Sequence, residues 1–347
     1  MKKFIAIILL VWLSHKATAQ NDTLPFASEQ ERAKYHELNS RRIKGVAFSN
    51  QTLNYSKRSW ASLTFCDLGS PKTWYIFSAD ISPEFIISSG RLPFTIHLVA
   101  RYMVRILHDN EAAGDSSYSV RTPSFRPGAI IYFPIGYVDD EVSNIKYWSI
   151  SVFHHSNGQD GNEFNHDGSF NLYDGNFSTN YVEPSFHFRK RKYLAPSTAE
   201  EVQIKNLNYR DFYGSAGLEL HFRTADSLKS SYGNQRVNLE LGYISVIKHW
   251  DEYHGHKLNN YFYGENYRFV FDFTYIAGSR DHGLSGLDKR INTDISYYWR
   301  IKGSPNASLF ASTGYYGSDP YNIYYANSYF FFRAGIALGF FITPKIK

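Results

Sequence analysis

The residues with the clearest chemical potential in this sequence are a histidine and a serine two positions apart, His154 and Ser156. A serine hydroxyl is a weak nucleophile until a base removes its proton, and an imidazole is the usual base. Because β side chains alternate with a period of two, both residues share a face with Trp148, Ile150 and Val152. A His-x-Ser at a strand end is more often an interfacial polar pair, so spacing alone leaves both interpretations open.

The next alternating stretch supplies a third polar group. Asn180 heads a row that continues through Val182 and Pro184. An asparagine oxygen can accept a hydrogen bond from an imidazole N–H without bringing a charge. That matters near hydrocarbon, where an ionised group costs about 2 to 4 kcal/mol. Asn165 and Asn171, in the polar segment before this stretch, are the alternative partners for the histidine; Asn180 is preferred because it begins an alternating strand with an apolar row on its own face.

The elements that must position these groups are predicted to be β-strands throughout. From about residue 60 onward, aromatic-rich alternating runs are separated by segments rich in Gly, Asn, Asp and Ser. Twelve strands are expected, near residues 60–67, 74–82, 92–107, 124–136, 145–156, 180–191, 207–222, 235–249, 267–277, 292–302, 306–315 and 328–342. The longest polar interruptions, expected as extracellular loops, are 108–118, 157–179, 223–234, 250–266 and 278–291.

The two faces of these strands differ in a way that is typical of a membrane barrel. In the last strand, Phe330 and Phe332 belong to a large apolar face, whereas Arg333 and Gly335 belong to a face that mixes small and polar residues. A soluble sandwich or lipocalin-type barrel also alternates, but only a closed barrel can cross a bilayer as β-structure, because an open edge would leave amides unpaired. The prediction is an all-β fold, a transmembrane antiparallel β-barrel of about 12 strands.

The N-terminus resembles a secretory signal. Lys2 and Lys3 precede the apolar run Phe4–Leu13, and the small-x-small sequence Ala17-Thr18-Ala19 follows. Ten apolar residues are too few to cross a bilayer about 30 Å thick as a helix. The expected organisation is a signal peptide at 1–19, a periplasmic N-terminal segment at 20–59 and the barrel at 60–347.

Charge and cysteine content exclude several classes of protein. The full chain carries a net charge of +5, and without the three lysines of the expected signal it retains 34 basic and 32 acidic residues. An excess this small gives no electrostatic basis for binding nucleic acid. The single cysteine, Cys66, excludes a disulfide framework and a cysteine-built metal site.

Three segments carry a resemblance to a known family. The segment from His154 to Gly158 matches the His-x-Ser-Asn-Gly motif of the outer membrane phospholipase A family. Upstream, Ser119-Val120-Arg121 leads through Phe125-Arg126-Pro127 into an apolar strand, as the corresponding family residues do. Ser178-Thr179-Asn180-Tyr181 is similar to the family's Ser-Trp-Asn-Arg step. The first motif is fairly specific and the other two support it.

The resemblance implies a function and a catalytic triad. The family consists of twelve-stranded barrels of the bacterial outer membrane that hydrolyse phospholipid acyl esters, and their catalytic groups lie on the barrel exterior. On this basis the chain is expected to be a phospholipase A1/A2-type carboxylic ester hydrolase acting in lipid degradation. Ser156 would be the nucleophile, His154 the base and Asn180 the residue that orients the base.

The resemblance also implies Ca2+ and a calcium-dependent homodimer, in which calcium helps to form the oxyanion site. The expected ligands are the backbone carbonyl of Gln159, a side-chain oxygen of Asn176 or Ser178, and a serine, Ser117 or Ser119, from the second subunit. Calcium accepts carbonyl, amide and hydroxyl oxygens, so these residue types suit it. The chain departs from the family pattern between Gly158 and Asn180, where it is about a dozen residues longer.

Other interpretations remain open from sequence. The chain could be a non-catalytic outer-membrane barrel, either a channel, a structural protein or a ligand-binding protein, with a degenerate lipase surface. The acidic residues of the longer segment are either extra calcium ligands or a solvated loop. His166-Asp167 and His254-Gly255-His256 suggest a metal site, but neither has further ligands at a characteristic spacing, so loop polarity is the preferred explanation.

Overall fold

The computed structural model describes residues 60–68, 75–87, 94–107, 123–135, 144–172, 174–193, 209–249, 262–301 and 307–339. The expected signal peptide, the expected periplasmic segment, Ser117, Ser119 and the His254–His256 segment lie outside these ranges. All the strands discussed below lie within them.

Within the described ranges, the alternating sequence folds into thirteen strands that form one antiparallel sheet. They are β1 Trp60–Leu68, β2 Tyr75–Ile81, β3 Glu84–Ile87, β4 Thr95–Leu107, β5 Ser124–Ile135, β6 Asn144–His155, β7 Thr179–Tyr193, β8 Tyr209–Phe222, β9 Gln235–His249, β10 Phe262–Ala277, β11 Ile291–Arg300, β12 Ala307–Tyr316 and β13 Tyr329–Gly339. The β1–β13 and β2–β4 pairings close the sheet, so that twelve strands form a barrel and β3 is an additional strand. The predicted fold class is confirmed.

Two departures from the predicted strands have local causes. The short strand β3 extends the line of β2 along β4 after a break at Pro83, which has no N–H to donate to a ladder. Strand β10 begins at Phe262, five residues before the expected start, because a register shift between Glu265 and Tyr267 interrupts the alternation. Within the described ranges, no helix is long and apolar enough to cross a membrane.

The strand faces segregate as the alternation predicts. On β6, Trp148 is 50% exposed and Val152 is 50% exposed, whereas the intervening Ser149 and Ser151 are buried inside the barrel. On β13, Phe330 is exposed and Phe331 is buried. The outer surface of the barrel is therefore apolar, which suits contact with lipid acyl chains.

The barrel interior is packed with polar and charged side chains that pair with one another. Arg105 donates two hydrogen bonds to the carboxylate of Asp319, at 2.6 and 2.8 Å, and all of these groups are buried. Arg191 donates two more to Asp211, both at 2.9 Å. Buried charges require such partners because desolvation otherwise disfavours them. The core of this protein thus lies in the lumen of the barrel.

At one end of the barrel, four connections meet in a second apolar core, which we call the loop cluster. It contains residues from the β6–β7, β8–β9, β10–β11 and β12–β13 connections: Phe177, Leu228, Tyr232, Leu284, Tyr321, Ile323, Tyr324 and Tyr325. Met103 of β4 packs against it from the barrel. Loops from around the rim therefore meet over the barrel opening at this end.

The sequence predicts that residues 250–266 form a loop at the same end of the barrel as 157–179, 223–234 and 278–291, and this prediction is wrong. Successive barrel strands run in opposite directions, so connections alternate between the two ends of the barrel. The strand ends His249 and Phe262 lie at the end opposite the loop cluster, and residues 262–266 belong to β10. Residues 250–261 lie outside the described ranges.

Candidate active site

His154 and Asn180 are direct neighbours on adjacent strands. They are paired in the β6–β7 register, and His154 Nδ1 lies 3.0 Å from Asn180 Oδ1. An amide oxygen can only accept a hydrogen bond, so the ring proton is on Nδ1. In the neutral imidazole this leaves Nε2 as an acceptor, which is the state that a general base requires. The His154 side chain is exposed, on the same outer face as Val152.

Ser156 lies on the same outer face, just past the end of β6. Its backbone continues the ladder through two hydrogen bonds with Phe125, at 2.8 and 3.0 Å, which fix the direction of its side chain. The rise of a strand separates residues two apart by roughly 6.7 Å along one face. Within the described ranges, no hydrogen bond joins the Ser156 hydroxyl to the His154 ring. Catalytic hydrogen bonds of this kind often form fully only when substrate is bound.

The chain can turn away directly after the serine because Gly158 adopts a left-handed backbone conformation, with φ of +70°. Side chains are strained at such a φ, so glycine is the residue type that suits this position. The turn starts the long β6–β7 connection, which contains most of the expected calcium ligands.

Behind the outer pair, an inner pair anchors the same two strand ends. His155 and Thr179 face each other across β6 and β7 and point into the barrel, where both are buried. His155 Nε2 lies 2.8 Å from the Ser124 hydroxyl and 3.2 Å from Arg126 Nε. The alternation of β6 places the second histidine of the motif inside, but its partners come from β5, whose register is not readable from sequence.

Thr179 is anchored separately from its own side. Its hydroxyl lies 3.1 Å from His221 Nδ1 and 2.9 Å from the Thr224 hydroxyl. These buried contacts hold the backbone immediately before Asn180. Sequence reasoning missed them, because the two partners belong to β8 and the connection that follows it.

The extra residues of the β6–β7 connection form an excursion whose two ends are held together. Gly161 forms a bridge with Gly175, and its backbone carbonyl accepts a hydrogen bond from Asn176 N at 2.9 Å. Asn157 strengthens this closure: its Nδ2 donates to Gly175 O at 2.8 Å, and its Oδ1 accepts from Phe177 N at 3.1 Å. The longer spacing therefore does not separate the serine from the segment before Asn180.

Asn165 and Asn171, the alternative partners for the histidine, form hydrogen bonds within the β6–β7 connection instead. Asn165 Nδ2 donates to the Ser169 hydroxyl at 2.9 Å. Asn171 Nδ2 donates to Asn162 O at 2.9 Å and to Asp174 Oδ1 at 2.6 Å. Of the three asparagines considered, Asn180 is the one that contacts His154.

The expected calcium ligands that the structure describes flank this closure. Asn176 and Ser178 are half-buried, and their side chains form no hydrogen bond with other described residues. Gln159 lies between Gly158 and the Gly161 bridge. A carbonyl, an amide and a hydroxyl are oxygen donors of the kind that calcium accepts, so the donor chemistry fits this ion. The expected second-subunit ligands, Ser117 and Ser119, lie outside the described ranges.

The acidic residues of the excursion do not form a separate metal centre. In the part of the chain that the structure describes, no group of three or more His, Cys, Asp or Glu residues could hold a metal ion. Asp167 accepts hydrogen bonds from the hydroxyl and the backbone N–H of Ser169, at 2.6 and 2.9 Å. These bonds lower the pKa of the exposed Asp167 carboxyl below its usual value.

Comparisons with known proteins point to one kind of fold. The chain matches no protein-family model and no curated protein sequence. Its structure is similar to outer membrane phospholipase A from Escherichia coli, with a TM-score of 0.50 and 12% identity, over 85% of this chain and 98% of that one. A Salmonella typhi outer membrane phospholipase dimer with bound calcium gives a TM-score of 0.48 and 12% identity over the same shares. At this identity the likeness is one of fold, and the chain has a barrel fold similar to that of outer membrane phospholipase A.

Proposed function

We propose that this protein is an outer-membrane phospholipase that hydrolyses acyl esters of phospholipids with a Ser156–His154–Asn180 triad on the lipid-facing exterior. The observation that carries the proposal is the 3.0 Å contact between His154 Nδ1 and Asn180 Oδ1, on the same outer face as Ser156. An imidazole whose Nδ1 faces an amide oxygen, on the same face as a serine two residues away and next to an apolar wall, supports ester hydrolysis in a lipid surface.

The triad residues would work in the usual order for a serine hydrolase. His154 Nε2 takes the Ser156 proton while Oγ attacks the ester carbonyl, and Asn180 Oδ1 stabilises the imidazolium that forms. His154 then gives the proton to the departing lysophospholipid oxygen. Water, deprotonated by the same imidazole, releases the fatty acid from Ser156.

Calcium belongs to this proposal through its chemistry. When bound, it supplies positive charge that stabilises the oxyanion of the transition state. The Gln159 carbonyl and the side chain of Asn176 or Ser178 would hold it, with Ser117 or Ser119 of the partner subunit. A site completed by a second copy would keep the monomer inactive, so we propose a calcium-dependent homodimer as the active form. Crosslinking with and without calcium tests this proposal, and full activity in a strictly monomeric preparation would contradict it.

The membrane itself would present the substrate. Val152, Ile150 and Trp148 continue the outer row that ends at His154, so acyl chains can lie along the barrel wall while the ester reaches Ser156. The reaction requires no lumenal cleft. This agrees with an interior filled by paired charges and an opening covered by the loop cluster.

Hydrolysis of phospholipid vesicles by the full chain tests the proposal directly. With calcium present, we expect wild-type turnover, and we expect Ser156→Ala and His154→Ala each to lose about 10³-fold or more of kcat. Chelation should abolish the wild-type activity. Ser151→Ala is the matched control, because this serine lies on the same strand but is buried inside the barrel.

A covalent probe separates this function from that of a non-catalytic barrel. A fluorophosphonate should label wild type and Ser151→Ala but not Ser156→Ala. Unchanged turnover in the Ser156→Ala or His154→Ala variant would contradict the assigned roles. Ligand binding without turnover in the wild type would favour the non-catalytic alternative.

A further inference from the structure

Both backbone polar groups of one residue in the β6–β7 connection, Phe177, are hydrogen-bonded to buried asparagine side chains. Asn157 Oδ1 accepts the hydrogen bond from Phe177 N at 3.1 Å, and Asn322 Nδ2 donates to Phe177 O at 2.8 Å. Asn157 is fully buried, and Asn322 is 2% exposed. The first asparagine belongs to the serine motif, whereas the second is 145 residues away in sequence from Phe177.

The distant residue, Asn322, follows a segment that is held by buried hydrogen bonds. It lies in a short turn, Asn322–Tyr324, of the β12–β13 connection. Just before this turn, Asp319 accepts a hydrogen bond from Tyr321 N at 2.9 Å, and the same carboxylate is held by Arg105 from the barrel wall. The backbone directly before Asn322 is thus held by the buried Arg105–Asp319 ion pair.

Phe177 itself is anchored in the loop cluster. Its ring is 2% exposed and lies 5.9 Å, centroid to centroid, from the ring of Tyr325. The residues on either side, Asn176 and Ser178, are half-buried and supply the proposed calcium oxygens. Hydrogen bonds to the Phe177 N–H and C=O, together with the packing of its ring, therefore fix the backbone from which both candidate ligands project.

We propose that Asn322 is a positioning residue for calcium, acting through the backbone carbonyl of Phe177 on the Asn176–Ser178 segment. This inference rests on the proposed function, since it assigns a support to the calcium site of that function. Asn322 touches neither substrate nor ion. Its contribution is to restrict the segment to one position, so that calcium binding does not have to order it.

The structure offers a substitution that separates positioning from folding. Asn322 Oδ1 is buried without a hydrogen-bond partner among the described residues. Asn322→Leu therefore removes the donor to Phe177 O while filling a similar volume and eliminating an unpaired acceptor in an apolar surrounding. Asn322→Ala is the second variant, and Ile323→Val, in the same turn and the same cluster, is the matched packing control.

The test is calcium titration of the full chain in detergent micelles, by calorimetry with calcium alone and by the calcium-induced rise of the unfolding midpoint. We expect both Asn322 variants to weaken calcium binding about tenfold. The calcium concentration for half-maximal hydrolysis should rise by the same factor, and kcat should recover at saturating calcium. Ile323→Val should unfold at a lower temperature with unchanged calcium affinity.

The outcomes separate this inference from the proposed function. If wild type binds calcium and hydrolyses phospholipid, but the Asn322 variants bind calcium as tightly, the inference fails and the function stands. A loss of affinity that Ile323→Val shares, or failure of both Asn322 variants to fold, would reduce Asn322 to a packing role and also overturn the inference. A wild type that binds no calcium removes the calcium site and this inference with it.

Discussion

At the scale of single residues, the proposed site depends on a neutral partner for the histidine. Asn180 accepts the His154 Nδ1 proton at 3.0 Å on an outer face that also carries Val152. A carboxylate would perform the same task, but its desolvation near hydrocarbon would cost about 2 to 4 kcal/mol. The amide provides the acceptor without that cost.

Asn180→Ala should therefore lower kcat while KM changes little. Without the acceptor, the imidazole loses its fixed tautomer and orientation, and we expect a loss of about 10- to 100-fold, part of the 10²- to 10⁴-fold effect typical of a general base. Steady-state hydrolysis of vesicles measures the effect. Asn171→Ala, which changes an asparagine bonded to Asn162 and Asp174, should leave turnover unchanged. The opposite pattern would make Asn171 the partner of the histidine.

At the scale of elements, the ends of β6 and β7 are positioned by contacts inside the barrel. His155 and Thr179, the inner neighbours of the triad residues, bond to β5 and β8 respectively. His154 and Asn180 are therefore carried by strand ends that form hydrogen bonds with the flanking strands β5 and β8. The alternation predicts which side chains point inward but says nothing about which partners they meet.

Ser124→Ala tests the hydrogen bond between Ser124 of β5 and His155 of β6. The substitution removes a buried hydroxyl 2.8 Å from His155 Nε2, and we expect the free energy of unfolding to fall by about 1 kcal/mol. Ser151→Ala is the control, since Ser151 is equally buried on a neighbouring strand but forms no side-chain hydrogen bond with the described residues. Denaturant unfolding in micelles provides the measurement. Equal destabilisation by the two variants would show that the Ser124–His155 hydrogen bond does not contribute to stability.

At the scale of the whole molecule, the closed barrel and its filled lumen bear on where a substrate could bind. Among the described strands, twelve pair into a closed barrel, and its lumen holds buried ion pairs such as Arg105–Asp319. The loop cluster joins four connections above it. The proposed phospholipid substrate would therefore be bound at the outer wall, where the triad residues lie.

We accordingly expect no stable ion conductance when the protein is reconstituted into a planar bilayer. The Ser156→Ala variant should be used, because products of hydrolysis would themselves disturb the bilayer. Single-channel recording makes the measurement. Discrete and lasting conductance steps would contradict a filled lumen and favour the channel interpretation.

The sequence by itself determined the features that depend on the local period of a strand. Twelve of the thirteen strands that the structure describes, their apolar outer faces and the shared face of His154 and Ser156 follow from the side-chain alternation of any strand. The four-residue strand β3 was not foreseen, because a run so short has little alternation to recognise.

The tertiary structure alone decided which residues meet across strands and loops. The Asn180 contact depends on the register of β6 against β7 across a long connection, and register is set by packing and loop geometry. Asn322 reaches Phe177 from 145 residues away because the closed barrel brings the two connections to the same rim. Contacts of this kind cannot be predicted from local residue spacing, since they form only when distant strands have paired into the closed barrel.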